Sequence, residues 1–185
     1  MDALDMDGLI YGQFMGAYSA ERHPATTSWF WAENPLEWVL ALSWEEFSAL
    51  NRACDAEFLN LLAREVANGR SDQRLILDGG FSHPAILASI IPASRIVTLA
   101  AGDEIRFGIW ENDPERAAMR QSVQALPDGQ AMWQKFLYFD KMINGAMVAE
   151  SQAAGIPIVY RGEADSIEQS ARSVISAFGA GMPTG

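Results

Sequence analysis

Apolar residues along this chain fall into two patterns, short unbroken runs and longer stretches at helical spacing, and the two alternate. The sharpest passage is Arg74–Ile91, RLILDGGFSHPAILASII. Leu75, Ile76 and Leu77 are continuously apolar, Asp78-Gly79-Gly80 breaks the run, and Ser82 and Pro84 are helix-start residues. A run apolar on both faces predicts a strand buried beneath helices on each side. Before it, Ser43 and Glu46 form an S-x-x-E capping box, and Phe47, Leu50, Cys54, Phe58, Leu61, Leu62 and Val66 recur at helical spacing as far as Gly69. After it, Arg95–Ala100 reads as a second strand, and Asp113-Pro114-Glu115 starts a helix reaching Ala125. Between Pro127 and Gly155 a longer helix buries Met132, Phe136, Phe139, Ile143 and Met147. Ile156–Tyr160 is a third strand, and Asp165 with Glu168 caps a last amphipathic helix carrying Ile167, Ala171, Val174, Ile175 and Phe178.

The first 35 residues are the least regular, with a short strand near Leu4–Met6 and a brief helix over Tyr11–Tyr18. Strands alternating with helices predict an α/β fold: a three-layer parallel sheet with helices on both faces. One domain is expected across residues 1–185, with an irregular region at 1–35 and a flexible tail at 179–185.

Composition narrows the partners. The formal charge is −11, from 24 acidic and 13 basic residues, which disfavours nucleic acid or an anionic membrane as the main partner. No run approaches the roughly 18 to 20 apolar residues of a membrane span. The start, MDALDMDG, lacks the basic and apolar regions of a signal peptide, so a soluble, cytoplasmic protein is expected. The single cysteine, Cys54, lies on the apolar face of a predicted helix and reads as a buried structural thiol. One cysteine and two histidines make no zinc pattern.

Candidate chemistry gathers at the end of the first apolar run. In a parallel sheet ligands sit at the carboxyl ends of strands, where Asp78 falls. Gly79 and Gly80 allow close backbone approach or positive φ, and His83 follows just inside the next helix. The alternative is a tight turn in which Asp78 only caps amides. Arg106, Arg116 and Arg120 offer forked donors to an anion, or else pair with Glu111, Asp113 and Glu115 on a solvated face. Asp5-Met6-Asp7-Gly8 matches the D-x-D-G motif of the haloacid dehalogenase superfamily, in which the first Asp is the nucleophile and the second a general acid; a surface acidic turn is the plainer reading. Trp29, Phe30, Trp31, Trp38 and Trp44 form either a stacking surface or a core or oligomer interface.

From Ser43 to Phe178 the order SWEEF, long helix, LILDGG, PAIL, RIVTLA, WENDPERAAMR, aromatic helix and IPIVY resembles the C-terminal two thirds of P-loop nucleoside and small-molecule kinase-like proteins. The resemblance implies that Asp78 holds Mg2+ or substrate, that Arg106, Arg116 and Arg120 belong to a ligand-closing segment, and that Asp5 and Asp7 form a substrate-binding acidic pair. The phosphate-cradling G-x-x-x-x-G-K-[ST] is absent from all 185 residues, and both lysines, Lys135 and Lys141, fall inside a predicted helix. The resemblance therefore implies a P-loop NTPase-like fold lacking its central first strand and phosphate loop, with the sheet parted or its edges exposed. The expected function is binding of a small phosphorylated or anionic ligand without independent phosphoryl transfer, by a chain that self-associates as a homo-oligomer. The alternatives are a fragment of an active kinase, a non-catalytic homo-oligomeric interaction protein, or a dehalogenase-like phosphatase.

Overall fold

The computed structural model describes residues 2–69, 75–162 and 164–180. Its contacts divide the chain into two units, Met1–Ser82 and His83–Gly185.

In the first unit, strand β1 (Asp2–Asp5) runs directly into helix α1 (Met6–Tyr11), because Asp5 accepts the Asp7 amide at 3.0 Å and so caps the helix it precedes. Helices α2 (Pro24–Phe30) and α3 (Pro35–Ala41) each start on a proline, whose fixed φ suits the first turn. The box at Ser43 and Glu46 forms in both directions, at 2.8 and 3.2 Å, and opens helix α4 (Trp44–Gly69). The stripe of α4 packs Cys54, Phe58, Leu61 and Leu62 against Met6, Leu9, Ile10, Phe14 and Tyr18, which is the core of this unit. Full burial of one such side chain contributes roughly 1.5–3 kcal/mol. Strand β2 (Leu75–Asp78) pairs parallel with β1, Asp2 opposite Leu75 and Asp5 opposite Asp78.

In the second unit, helix α5 (Pro84–Ala88) leads to strand β3 (Thr98–Ala101), helices α6 (Asp103–Asn112), α7 (Ala117–Gln124) and α8 (Gly129–Ala154), strand β4 (Ile158–Arg161) and helix α9 (Ile167–Ala180). Strands β3 and β4 pair in parallel, Thr98 opposite Ile158. The long α8 buries Trp133, Leu137 and Phe139 and ends at Gly155, whose φ of +68° is the left-handed C-cap that glycine favours. A hydrogen bond of 2.6 Å between the hydroxyls of Thr98 and Ser151 ties β3 to α8.

The expected three-layer parallel sheet does not form. Among the described residues the chain is predominantly helical, and its four strands, each four residues long, make two separate two-stranded parallel sheets. The run at β2 is not covered on both faces either: Ile76 and Leu77 remain 47% and 38% exposed. An apolar run reports strand preference, whereas the number of neighbouring strands depends on pairing with distant residues.

Smaller corrections follow the same logic. Arg95 closes a 3-10 turn (Ala93–Arg95), so β3 starts at Thr98, and the helix expected over Ser82–Ile91 is confined to α5. Asp113 caps a 3-10 turn (Pro114–Arg116) that leads into α7. The last helix is boxed by Ser166 and Gln169, at 2.7 and 3.3 Å, while Asp165 accepts the Gly162 amide instead. The stretch read as irregular holds β1, α1, a 3-10 turn (Gln13–Gly16) and α2. Arg74 and residues 181–185 of the expected tail lie outside the described residues. Among the described residues no helix is long and apolar enough to cross a membrane.

Candidate functional site

The predicted site residues fall into both units: Asp5, Asp7, Asp78, Gly79 and Gly80 in the first, His83, Arg106, Arg116 and Arg120 in the second. In the first unit the aspartates do come together. Asp5 and Asp78 are register partners at the carboxyl ends of β1 and β2, and both are exposed. Asp7 stands beside the following turn, where a Cβ placed on Gly79 would lie 3.8 Å from its Oδ2. Gly79 and Gly80 both have φ of +79°, and at Gly80 the turn passes so close to α1 that a Cβ would lie 2.5 Å from that of Met6. The D-x-D-G motif calls for a buried strand before its first aspartate; β1 occupies that place, but its Ala3 is exposed and its Leu4 only half-buried. The carboxyl of Asp5 is partly engaged in capping α1. Among the described residues no group of three or more His, Cys, Asp or Glu side chains is placed to hold a metal ion.

Behind this end of the sheet, Asp55 is buried on α4 and accepts the Ser82 amide at 3.0 Å, fixing the exit of the glycine turn. Cys54 is buried next to it, and burial pushes its thiol up to about 11. It is therefore a packing residue rather than a nucleophile. Trp29 and Phe30 join the core, their rings 4.0 Å apart, whereas Trp31 is 63% exposed.

In the second unit the arginines part company. Arg106 is buried, and its guanidinium donates to Asp140 at 3.0 and 2.5 Å and to Asp103 at 3.3 Å, clamping α6 to α8. Lys141 reaches Asp103 at 2.7 Å, and this ammonium, with Arg106 behind it, holds the Asp103 carboxyl below the usual carboxylate range. Arg116 places its guanidinium 5.3 Å from the centre of the Trp110 ring. His83 is buried at the N-cap position of α5.

Arg120 opens onto a concavity of about 510 Å3. Its Nη1 donates to the backbone carbonyl of Glu111 at 2.5 Å, which seats the guanidinium at the end of α6. Among the described residues no carboxylate lies within ion-pair distance of it. The walls are polar: Asn112 and Gln124 stand beside Glu111 and Arg120, and Gln130 and Gln134 line the α8 side with Trp133 between them. Sequence reasoning singled out Arg120 but missed the carboxamides. The available signal was spacing, since Arg120 and Gln124, like Gln130 and Gln134, stand one helical turn apart and share a face.

No family model, no curated protein and no solved structure matches this chain.

Proposed function

We propose that the protein binds a small phosphorylated or otherwise anionic ligand and does not by itself transfer a phosphoryl group. The observation that carries this reading is Arg120, a guanidinium held by a backbone carbonyl at the wall of a polar concavity, with donors left for a ligand and, among the described residues, no carboxylate within ion-pair distance. The second half rests on the absent G-x-x-x-x-G-K-[ST] and on the position of Lys135 and Lys141 within α8, away from any glycine-rich loop. Arg120 belongs to the segment that the resemblance to kinase-like proteins singled out, whereas the absent loop and the missing layered sheet depart from that family.

A thermal-shift screen of nucleotides, sugar phosphates and organic acids, with and without Mg2+, tests the reading. A ligand at 100 times its dissociation constant should stabilise the fold by roughly 2.7 kcal/mol, and Arg120→Gln should remove the shift. Hydrolysis of ATP at an ordinary enzymatic rate, about 1 to 1000 per second, abolished by Asp78→Asn, would overturn it.

A second reading, a phosphatase of the dehalogenase type, has one observation in its favour: β1 delivers Asp5 of D-x-D-G to a sheet end already carrying Asp78. Mg2+-dependent turnover of a generic phosphomonoester, lost in Asp5→Asn, would place the chemistry there instead.

A further inference from the structure

The walls around Arg120 say more about the ligand than its charge. The concavity, about 510 Å3, is open and polar, so a ligand there would be held by hydrogen bonds and charge rather than by enclosure. Its formal charges are one guanidinium, Arg120, and one carboxylate, Glu111. One guanidinium fork takes one carboxylate, and a second negative charge on the ligand would face Glu111. The remaining polar groups are carboxamides: Asn112 at the end of α6, Gln124 on α7, Gln130 and Gln134 on α8. Each carboxamide both donates and accepts, and so does a hydroxyl. An ammonium only donates; it would use the carbonyl oxygens and leave the NH2 groups facing nothing. Glu111, acceptor only, is likewise satisfied by a hydroxyl. Trp133 is buried to 4% exposure and stacks on Phe136 at 5.2 Å, so it closes the base between Gln130 and Gln134 and leaves the accessible walls polar.

We infer that the site takes a polyhydroxylated monoanion, the chemical class of sugar acids, with its carboxylate on Arg120 and its hydroxyls on the carboxamides of α7 and α8. This rests on the anion-binding reading above and adds to it the nature of the rest of the ligand. The guanidinium is held in place before the ligand arrives by its bond to the Glu111 carbonyl, so little side-chain ordering is charged to binding.

Calorimetric titration of the full chain with four probes separates the two ideas: D-gluconate, acetate, D-glucose and L-serine. Gluconate should bind about tenfold tighter, or more, than either acetate or glucose. Arg120→Gln should bring gluconate down to the level of glucose, and Gln130→Leu with Gln134→Leu, both at exposed positions, should bring it down to that of acetate. Should Arg120→Gln fail to fold, Arg120→Lys keeps the charge and should preserve the preference for gluconate over glucose. Acetate binding as tightly as gluconate overturns the hydroxyl inference and leaves the anion reading standing. Glucose binding as tightly as gluconate overturns both. Serine binding more tightly than gluconate replaces the hydroxylated anion with a zwitterion, and gluconate showing neither heat nor a thermal shift overturns the hydroxylated-monoanion inference, while the screen of phosphorylated ligands decides the anion reading.

Discussion

At the scale of single residues, two adjacent glycines with the same backbone angle are not equivalent. Gly79 and Gly80 both sit at φ +79°, where a side chain costs about 1–3 kcal/mol of strain. At Gly79 that is the whole cost, since the nearest neighbour of an added Cβ is Asp7 Oδ2 at 3.8 Å. At Gly80 the Cβ would also meet that of Met6 at 2.5 Å and Ile10 Cδ1 at 3.1 Å, in a core where Met6 and Ile10 are 0% and 1% exposed. Overpacking of this kind adds about 1–3 kcal/mol. Gly80→Ala should therefore lower the melting temperature by several degrees more than Gly79→Ala, at about 2–4 °C per kcal/mol for a chain of this size. Equal losses would mean that the turn does not lie against α1. The aspartates flanking these glycines depend on the same approach, because Asp7 rides on α1 and Asp78 on β2.

At the scale of elements, α2 shows how one side chain can dock a helix. Glu57, from α4, accepts the Ala25 and Thr26 amides at 2.9 Å each and the Thr26 hydroxyl at 2.6 Å, so it caps α2 from a distance in sequence. Thr26 is fully buried, so losing this acceptor leaves its amide and hydroxyl short of a protein partner. Glu57→Ala should cost about 2 kcal/mol or more, with α2 amides becoming the first in the unit to exchange with solvent. Exchange in α2 unchanged from the wild type would show that packing of Trp29 and Phe30 holds the helix without Glu57. This contact also marks what the sequence can and cannot disclose. The Ser43–Glu46 box was legible because its donors and acceptors lie within one turn of chain. Glu57 and Thr26 are 31 positions apart, and no periodicity links them. At the last helix two boxes were chemically possible, offset by one residue, and Asp165 was diverted to the Gly162 amide, leaving Ser166 and Gln169. Apolar runs located β2, β3 and β4 to within a few residues, yet could not state that each would find a single partner. In the site, Asp78 was legible as a strand-end acid, whereas its place opposite Asp5 depends on the register between two distant segments. Arg106 was not separable from Arg120, because the Asp140 that neutralises Arg106 lies on another helix.

At the scale of the whole molecule, pH acts through opposing effects. The chain carries a formal −11 at neutral pH, and acidification towards its isoelectric point near 4.5 relieves self-repulsion and favours the compact state. His23 works the other way. It is 3% exposed, its Nδ1 accepts the Ser19 amide at 3.2 Å, and the Tyr18 ring stands edge-on at 5.6 Å. Burial lowers its pKa below the ordinary 6.5; Glu57 opposes that shift, while Arg22 and Arg64 add to it. With the folded value depressed, the unfolded chain takes up the proton first. The stability contributed by neutral His23 is thus complete above about pH 6.5 and is lost as pH falls towards the folded value. Asp103, held below the carboxylate range, changes only at lower pH and stays out of this window. His23→Asn keeps an acceptor for the Ser19 amide but removes the titration, so subtracting the two melting curves cancels the charge repulsion common to both. The wild type should be the more stable at pH 7.5, and the difference in melting temperature should shrink steadily between pH 6.5 and 5. A constant difference across that range would mean that His23 is protonated as readily in the folded chain as in the unfolded one, and that its burial carries no pH dependence.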